Sequence, residues 1–167
     1  MTDSSNIVLY EAEYVRLKSI LAKTQRELGI DLILLINRDG HQIASEGPAR
    51  DIDLTALSSL ASANLAASNG LARLVGEPEF SILYHQGKHR NIHISDVARR
   101  YCLVLVFDEK VSLGLVRLRV KHTTAYLEEV FKLFARRMET KKPAPAEAVN
   151  SSPLNFTDED IDKLFGR

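Results

Sequence analysis

The sequence predicts an α+β fold, a sandwich built around a five-stranded, mainly antiparallel sheet. Three observations predict it. Two apolar runs, Ile30–Ile36 and Tyr101–Phe107, are rich in Leu, Ile and Val and too short to be helices, the pattern of strands buried on both faces. Between the first of them and the next strand stands Asn37-Arg38-Asp39-Gly40, whose Asp-Gly pair supplies the positive-φ positions of a tight hairpin loop. Three longer segments have helical spacing instead.

The first helix is marked by Tyr10, Tyr14, Leu17, Leu21, Thr24 and Leu28, and Gly29 stops it. Strands Ile30–Ile36 and His41–Ser45 follow, and Gly47-Pro48 breaks the second. Asp51 or Asp53 can then cap a central helix that ends near Gly76, before Pro78. Glu79–His85 and Asn91–Asp96 read as a further strand pair joined across Gly87. In the second of these, Ile92 and Ile94 alternate with Asn91, His93 and Ser95, so one face is expected to be wet. After the central strand Tyr101–Phe107, the residues Leu113, Val116, Val120, Leu127, Phe131, Phe134 and Met138 keep the spacing of a long last helix. The part from Leu113 to Val120 also alternates, but the longer helical period decides for a helix.

Length and composition confine the possibilities. With 167 residues, 45% of them hydrophobic, the chain makes one domain with a tail. Lys+Arg and Asp+Glu both total 22, so bulk charge gives no reason to expect nucleic acid. A lone cysteine, Cys102, fits a reducing compartment, and the polar start Met1–Asn6 is unlike a signal peptide. No stretch suits a bilayer, so the expected place is the cytoplasm.

The central helix is the most informative segment. From Leu54 through Ala72 it has no charged side chain, whereas charged residues make up 26% of the chain. Leu54, Leu57, Leu60, Ala61, Leu65, Leu71 and Val75 form a broad apolar face expected to cover the core. On the other side Ser59, Ala63, Ala66 and Gly70 make a small, uncharged stripe. Solvent-facing helix surfaces normally carry Lys and Glu, so this stripe suits close approach by another macromolecule. The alternative is that it packs a lipid or a helix of its own fold.

Lys141-Lys142-Pro143-Ala144-Pro145 ends the last helix and opens a Pro/Ala/Ser linker. The domain is therefore bounded as 1–139, the linker as 140–153 and a terminal amphipathic helix as 154–167. In that helix Thr157 can cap, Phe156 can staple onto Ile161, and Ile161, Leu164 and Phe165 share one face. So short a helix does not hold alone in water, and an apolar face on a tether suits a docking motif.

No glycine begins a nucleotide-binding loop, no serine sits in a nucleophile elbow, and no cofactor is called for. Cys102 lies in the most hydrophobic strand and is assigned to the core. His85, His89 and His93 are spaced by four, but no Cys or carboxylate cluster completes a metal site, and they are read as polar edge-strand residues. Arg99-Arg100 is read as a solvated turn and Arg117, Arg119 and Lys121 as a helix flank. Arg117 and Lys121, four apart on one helical face, could also attract the acidic tail of this chain or of a neighbour.

With the elements in order, four stretches are similar to the Roadblock family of dynein-light-chain-like dimers that partner small GTPases: Tyr10–Tyr14, Leu57–Leu60 onward to Leu71–Glu77, Val106–Asp108 with Ser112–Val120, and the tail Asp158–Phe165. The resemblance is to its bacterial members that act on a Ras-like GTPase of the MglA type in motility and cell polarity. It implies a sheet between one central helix and a pair of terminal helices. It implies a homodimer in which central helices and neighbouring strands meet, preferring the GTP-bound partner, placed in the cytoplasm at a cell pole. It implies GTPase activation that reshapes the partner's switch region, with no donated arginine and no catalytic residue of its own. The GTPase-facing positions would be Ser59, Ala63, Ala66 and Gly70, with a second contact through Phe156, Ile161, Leu164 and Phe165. The alternative is an adaptor that recruits polarity proteins without changing hydrolysis.

Overall fold

The computed structural model describes residues 11–140, with side chains described through Arg137. The elements run α1 (Glu11–Leu28), β1 (Leu32–Asn37), β2 (Gln42–Glu46), α2 (Leu54–Leu74), β3 (Ile82–Gln86), β4 (Arg90–Val97), β5 (Tyr101–Asp108) and α3 (Leu113–Thr140). The sheet has the order β2-β1-β5-β4-β3, and every pairing is antiparallel. The terminal segment with Phe156, Ile161, Leu164 and Phe165 lies outside the described residues, as does Tyr10.

Alternation along the strands divides the core in two. Ile33 and Leu35 of β1 and Tyr101, Leu103, Leu105 and Phe107 of β5 point toward α1 and α3, where they meet Leu17, Leu21, Val116, Val120, Leu127 and Phe131. Leu32, Leu34 and Ile36 with Cys102, Val104 and Val106 point the other way, toward Ala61 and Leu65 of α2. Tyr101 and Phe131 stack with ring centroids 3.9 Å apart. Cys102 is fully buried, and burial pushes its thiol up to about 11, as suits a packing residue.

Helices α1 and α3 lie antiparallel. Arg119 pairs with Glu27 at 3.0 Å near one end and Arg137 with Glu13 at 3.4 Å near the other. Between them Thr24 and Thr123 share a buried hydroxyl–hydroxyl hydrogen bond of 2.9 Å, Thr24 also donating to the Ile20 carbonyl. Tyr14 is more exposed than its spacing suggested, and Glu13 is buried in its place. The helical reading of Leu113–Val120 is correct, because Val116 and Val120 sit one turn apart in the core.

The β1–β2 hairpin is built by Asn37, whose side-chain carbonyl oxygen accepts from the Asp39 and His41 amides at 3.0 and 2.8 Å. Gly40 adopts φ 83° and passes directly beneath α2. A Cβ there would stand 2.8 Å from the Ser59 Cα, which cannot swing aside as a side-chain tip could. Gly40→Ala is therefore expected to combine left-handed backbone strain with a backbone clash, costing about 2 kcal/mol or more of stability. A urea titration checks it, and an unchanged midpoint would mean that the hairpin and helix yield freely.

Candidate functional site

Helix α2 opens with Asp53, whose carboxylate accepts from the Ala56 amide at 3.0 Å, and closes before Gly76, φ 79°. Its inward face is small: Ser58, Ala61, Ser62, Leu65, Ser68 and Ala72 are buried. Ser58 Oγ returns its hydrogen bond to the Leu54 carbonyl at 2.7 Å, and Ser62 Oγ donates to the Arg38 carbonyl of the hairpin. Small side chains let the helix lie close on strands whose own Leu, Ile and Val side chains already fill that face.

This corrects the expected core face. Leu54 and Leu57 are half-buried, and Ala61 and Leu65 are core, but Leu60, Leu71 and Val75 are 69%, 58% and 67% exposed. Leu74 is 83% exposed. Several of the large residues point out while serines and alanines fill much of the inward face, unlike an ordinary amphipathic helix. Both sets repeat at three and four, so periodicity could not separate them.

The exposed arc of α2 has two flanks. Ser59, Ala63 and Ala66 are exposed and Gly70 is half-buried, and together they run along one flank. A Cβ at Gly70 would meet nothing within 4 Å. Leu60, Asn64, Ala67 and Leu71 follow the other flank at helical spacing. Asn64 Nδ2 bonds His85 Nε2 of β3 at 3.0 Å, so this flank leans toward the free edge of the sheet. On that edge strand Ile82 is 52% exposed.

At one end of the same sheet face, Arg38 pairs with Asp96 of β4. The Asp96 carboxylate also accepts from the Arg99 amide at 3.0 Å. Burial raises the Asp96 pKa, and the Arg38 charge opposes that rise. Arg99 reaches Glu79 at 3.4 Å, consistent with the solvated turn expected of it. The contacts of this cluster are structural, tying the hairpin to β4 beneath α2.

The wet face expected of β4 is not wet. Asn91, His93 and Ser95 are buried because α3 packs over that face of β4. With β3 outside it as the edge strand, β4 is interior, and His93 is not an edge histidine. Its Nδ1 lies 3.2 Å from Ser95 Oγ, while Nε2 is buried without a hydrogen-bond partner among the described residues. His85 and His89 are exposed, and among the described residues no group of three His, Cys, Asp or Glu is placed to hold a metal. Also among those residues, no helix is long and apolar enough to cross a membrane.

One helix covers one sheet face and two cover the other, and the single cover turns outward a surface uncharged from Leu54 to Ala72. The chain belongs to the Roadblock/LC7 family, whose domain matches residues 17–107. Among solved structures it is similar to Myxococcus xanthus MglB, at 35% identity and TM-score 0.72, covering 77% of this chain and 96% of that one. The gliding protein MglB from Thermus thermophilus gives 35% identity and TM-score 0.70, over 75% and 95%. A structure of MglB in a tetrameric arrangement gives 34% and 0.73, over 77% and 97%.

The buried His93 makes a pH dependence. Burial, with a smaller contribution from the Arg117 charge, lowers its pKa from 6.5 to about 4. The unfolded chain therefore binds this proton between those values and the folded chain does not, so stability falls as pH drops from about 6.5 toward 4. The loss attributable to His93 should approach roughly 3 kcal/mol. Denaturation midpoints across that range should lose most of this slope in His93→Leu, and an unaltered slope would place its origin elsewhere.

Proposed function

We propose that this protein is a homodimeric GTPase-activating regulator of a small Ras-like GTPase of the MglA type, working in bacterial cell polarity and motility. The observation that carries the reading is the α2 surface, helical, outward-facing and without charge from Leu54 to Ala72. The kinship with MglB, which in Thermus thermophilus is a gliding protein, supports the cellular role. We place its action in the cytoplasm, at a cell pole.

The two flanks of α2 divide the work. Leu60, Leu71, Leu74 and Val75 are too apolar to face water without cost, about 25 cal/mol for each Å² left exposed. They and the β3 edge suit a second copy of the chain, central helix to central helix. Ser59, Ala63, Ala66 and Gly70 then form the GTPase-facing surface, because small residues allow backbones to approach closely. The four stripe positions carry no charge, with Arg73 exposed beyond their C-terminal end. As the family resemblance implies, activation reshapes the switch region of the GTPase rather than inserting an arginine into its site. The tail residues Phe156, Ile161, Leu164 and Phe165 supply a second contact through their tether.

Light scattering should give twice the 18.7 kDa chain mass. The paired substitution Leu71→Asp and Leu74→Asp should return it to one chain mass, by desolvating charges in the interface. A monomeric parent at micromolar concentration would sink the assignment.

The GTPase surface is tested by Ala66→Arg and Gly70→Arg, both on outward positions where the fold survives. Each should weaken binding of the GTP-loaded partner by at least about a hundredfold, near 3 kcal/mol, and abolish stimulated hydrolysis. Normal binding by both variants would remove this stripe from the interface. Binding by the parent with no stimulation would identify an adaptor instead.

A further inference from the structure

Helix α3 presents a second exposed apolar surface with a different electrostatic character. Leu115 and Leu118 are 46% and 58% exposed near its start. Arg117 and Lys121, beside them, are exposed, and neither has a carboxylate partner among the described residues. From Leu113 to Leu127 the helix contains no acidic residue at all. Its first turn also lacks an acid, so the positive end of the helix reinforces this charge instead of offsetting it. Arg119 is engaged by Glu27, and Lys132 further along by Glu129. The cationic surplus is thus confined to the stretch that carries the two exposed leucines.

The complementary segment is present in the same chain. Residues 156–165 contain Asp158, Glu159, Asp160 and Asp162 together with Phe156, Ile161, Leu164 and Phe165. The apolar trio is spaced by three and one, as one face of a helix requires. Other exposed apolar residues have less free positive charge beside them. Leu133 lies near Lys132, which Glu129 engages, and Arg136, which also has a partner. Val15 lies near Glu11, Glu13 and an engaged Arg16, and Ile82 follows Glu79. Leu60 and Leu71 lie in an uncharged stretch, and Leu74 has the single cation Arg73.

We propose that the acidic C-terminal segment docks on the N-terminal half of α3 of its own chain, Ile161, Leu164 and Phe165 seating on Leu115 and Leu118 while its carboxylates face Arg117 and Lys121. Reach allows it. From Thr140 back to Leu118 is about 33 Å along the helix, whereas the chain from 141 to 155 spans up to about 50 Å when extended. The segment would fold back along the helix from which it emerges. Tethering holds it at millimolar effective concentration, so modest contacts suffice. A partner that captures the tail must displace it from this site, which makes α3 a store for the segment rather than part of the α2 surface. The docking itself requires no GTPase.

The test uses the full chain with Gly166→Cys carrying a nitroxide, the fully buried Cys102 being inert to the reagent. Paramagnetic broadening should concentrate on the amides of residues 114–122. It should fall below about a third of its parent value in Leu118→Asp and in the pair Arg117→Glu with Lys121→Glu, and weaken in high salt. Arg117, Leu118 and Lys121 are exposed, and an unchanged amide spectrum outside the patch confirms that each variant is folded. Broadening spread evenly, or centred on α2 or the β3 edge, overturns the proposal. So does persistence in both variants. In mixtures of isotope-labelled chains without nitroxide and unlabelled chains with it, broadening at 114–122 would mean docking on a second copy and would also overturn it.

Discussion

Strands β1 and β5 are apolar on both faces, and that constraint governs the rest of the molecule. From Leu32 to Ile36 every side chain is fully buried, as are Cys102 to Leu105 and Phe107 of β5. Each such residue is worth about 1.5–3 kcal/mol only if both sheet faces are covered. One helix pair covers one face and α2 must cover the other. The chain reaches that arrangement by running α2 between β2 and β3, the two edges of the sheet.

The two faces are covered differently. Against α1 and α3 the contacts are large, with leucines, valines and the Tyr101–Phe131 stack interdigitating. Against α2 the strands supply most of the buried residues, and the helix adds Ala61 and Leu65 with the half-buried Leu54 and Leu57. The rest of its inward face is serine and alanine, so several of its large residues are left over. Leu60, Leu71 and Leu74 are therefore outward as a consequence of how the sheet is filled, and what remains exposed is the surface we propose for partner binding.

Polar groups inside the fold follow the same logic. Asn91, His93 and Ser95 occupy the inward side of β4 near the margin of the α3 cover. A neutral imidazole with one unpartnered nitrogen is tolerated there, whereas its protonated form is disfavoured by desolvation and by Arg117. Arg38 and Asp96 likewise hold the hairpin against β4, at a burial cost that Asp96 registers in its raised pKa.

The sequence by itself determined the element order, the two buried strands, the Asp-Gly hairpin and the buried state of Cys102, because each depends on local periodicity or turn chemistry. It narrowed the cap of α2 to Asp51 or Asp53, of which the structure uses Asp53. It also exposed the missing charge along α2, which marked the helix as wet on neither side. It did not determine which side of α2 is the inside. Ser58, Ser62 and Ser68 repeat as regularly as Leu60 and Leu71, and hydrophobicity alone ranks the leucines inward. Only the tertiary structure decided that, since the space beneath α2 is set by side chains from β1, β4 and β5 that are distant in sequence. The burial of His93 was settled in the same way, by α3 packing over that face of β4, while β3 took the edge and left β4 between two neighbours.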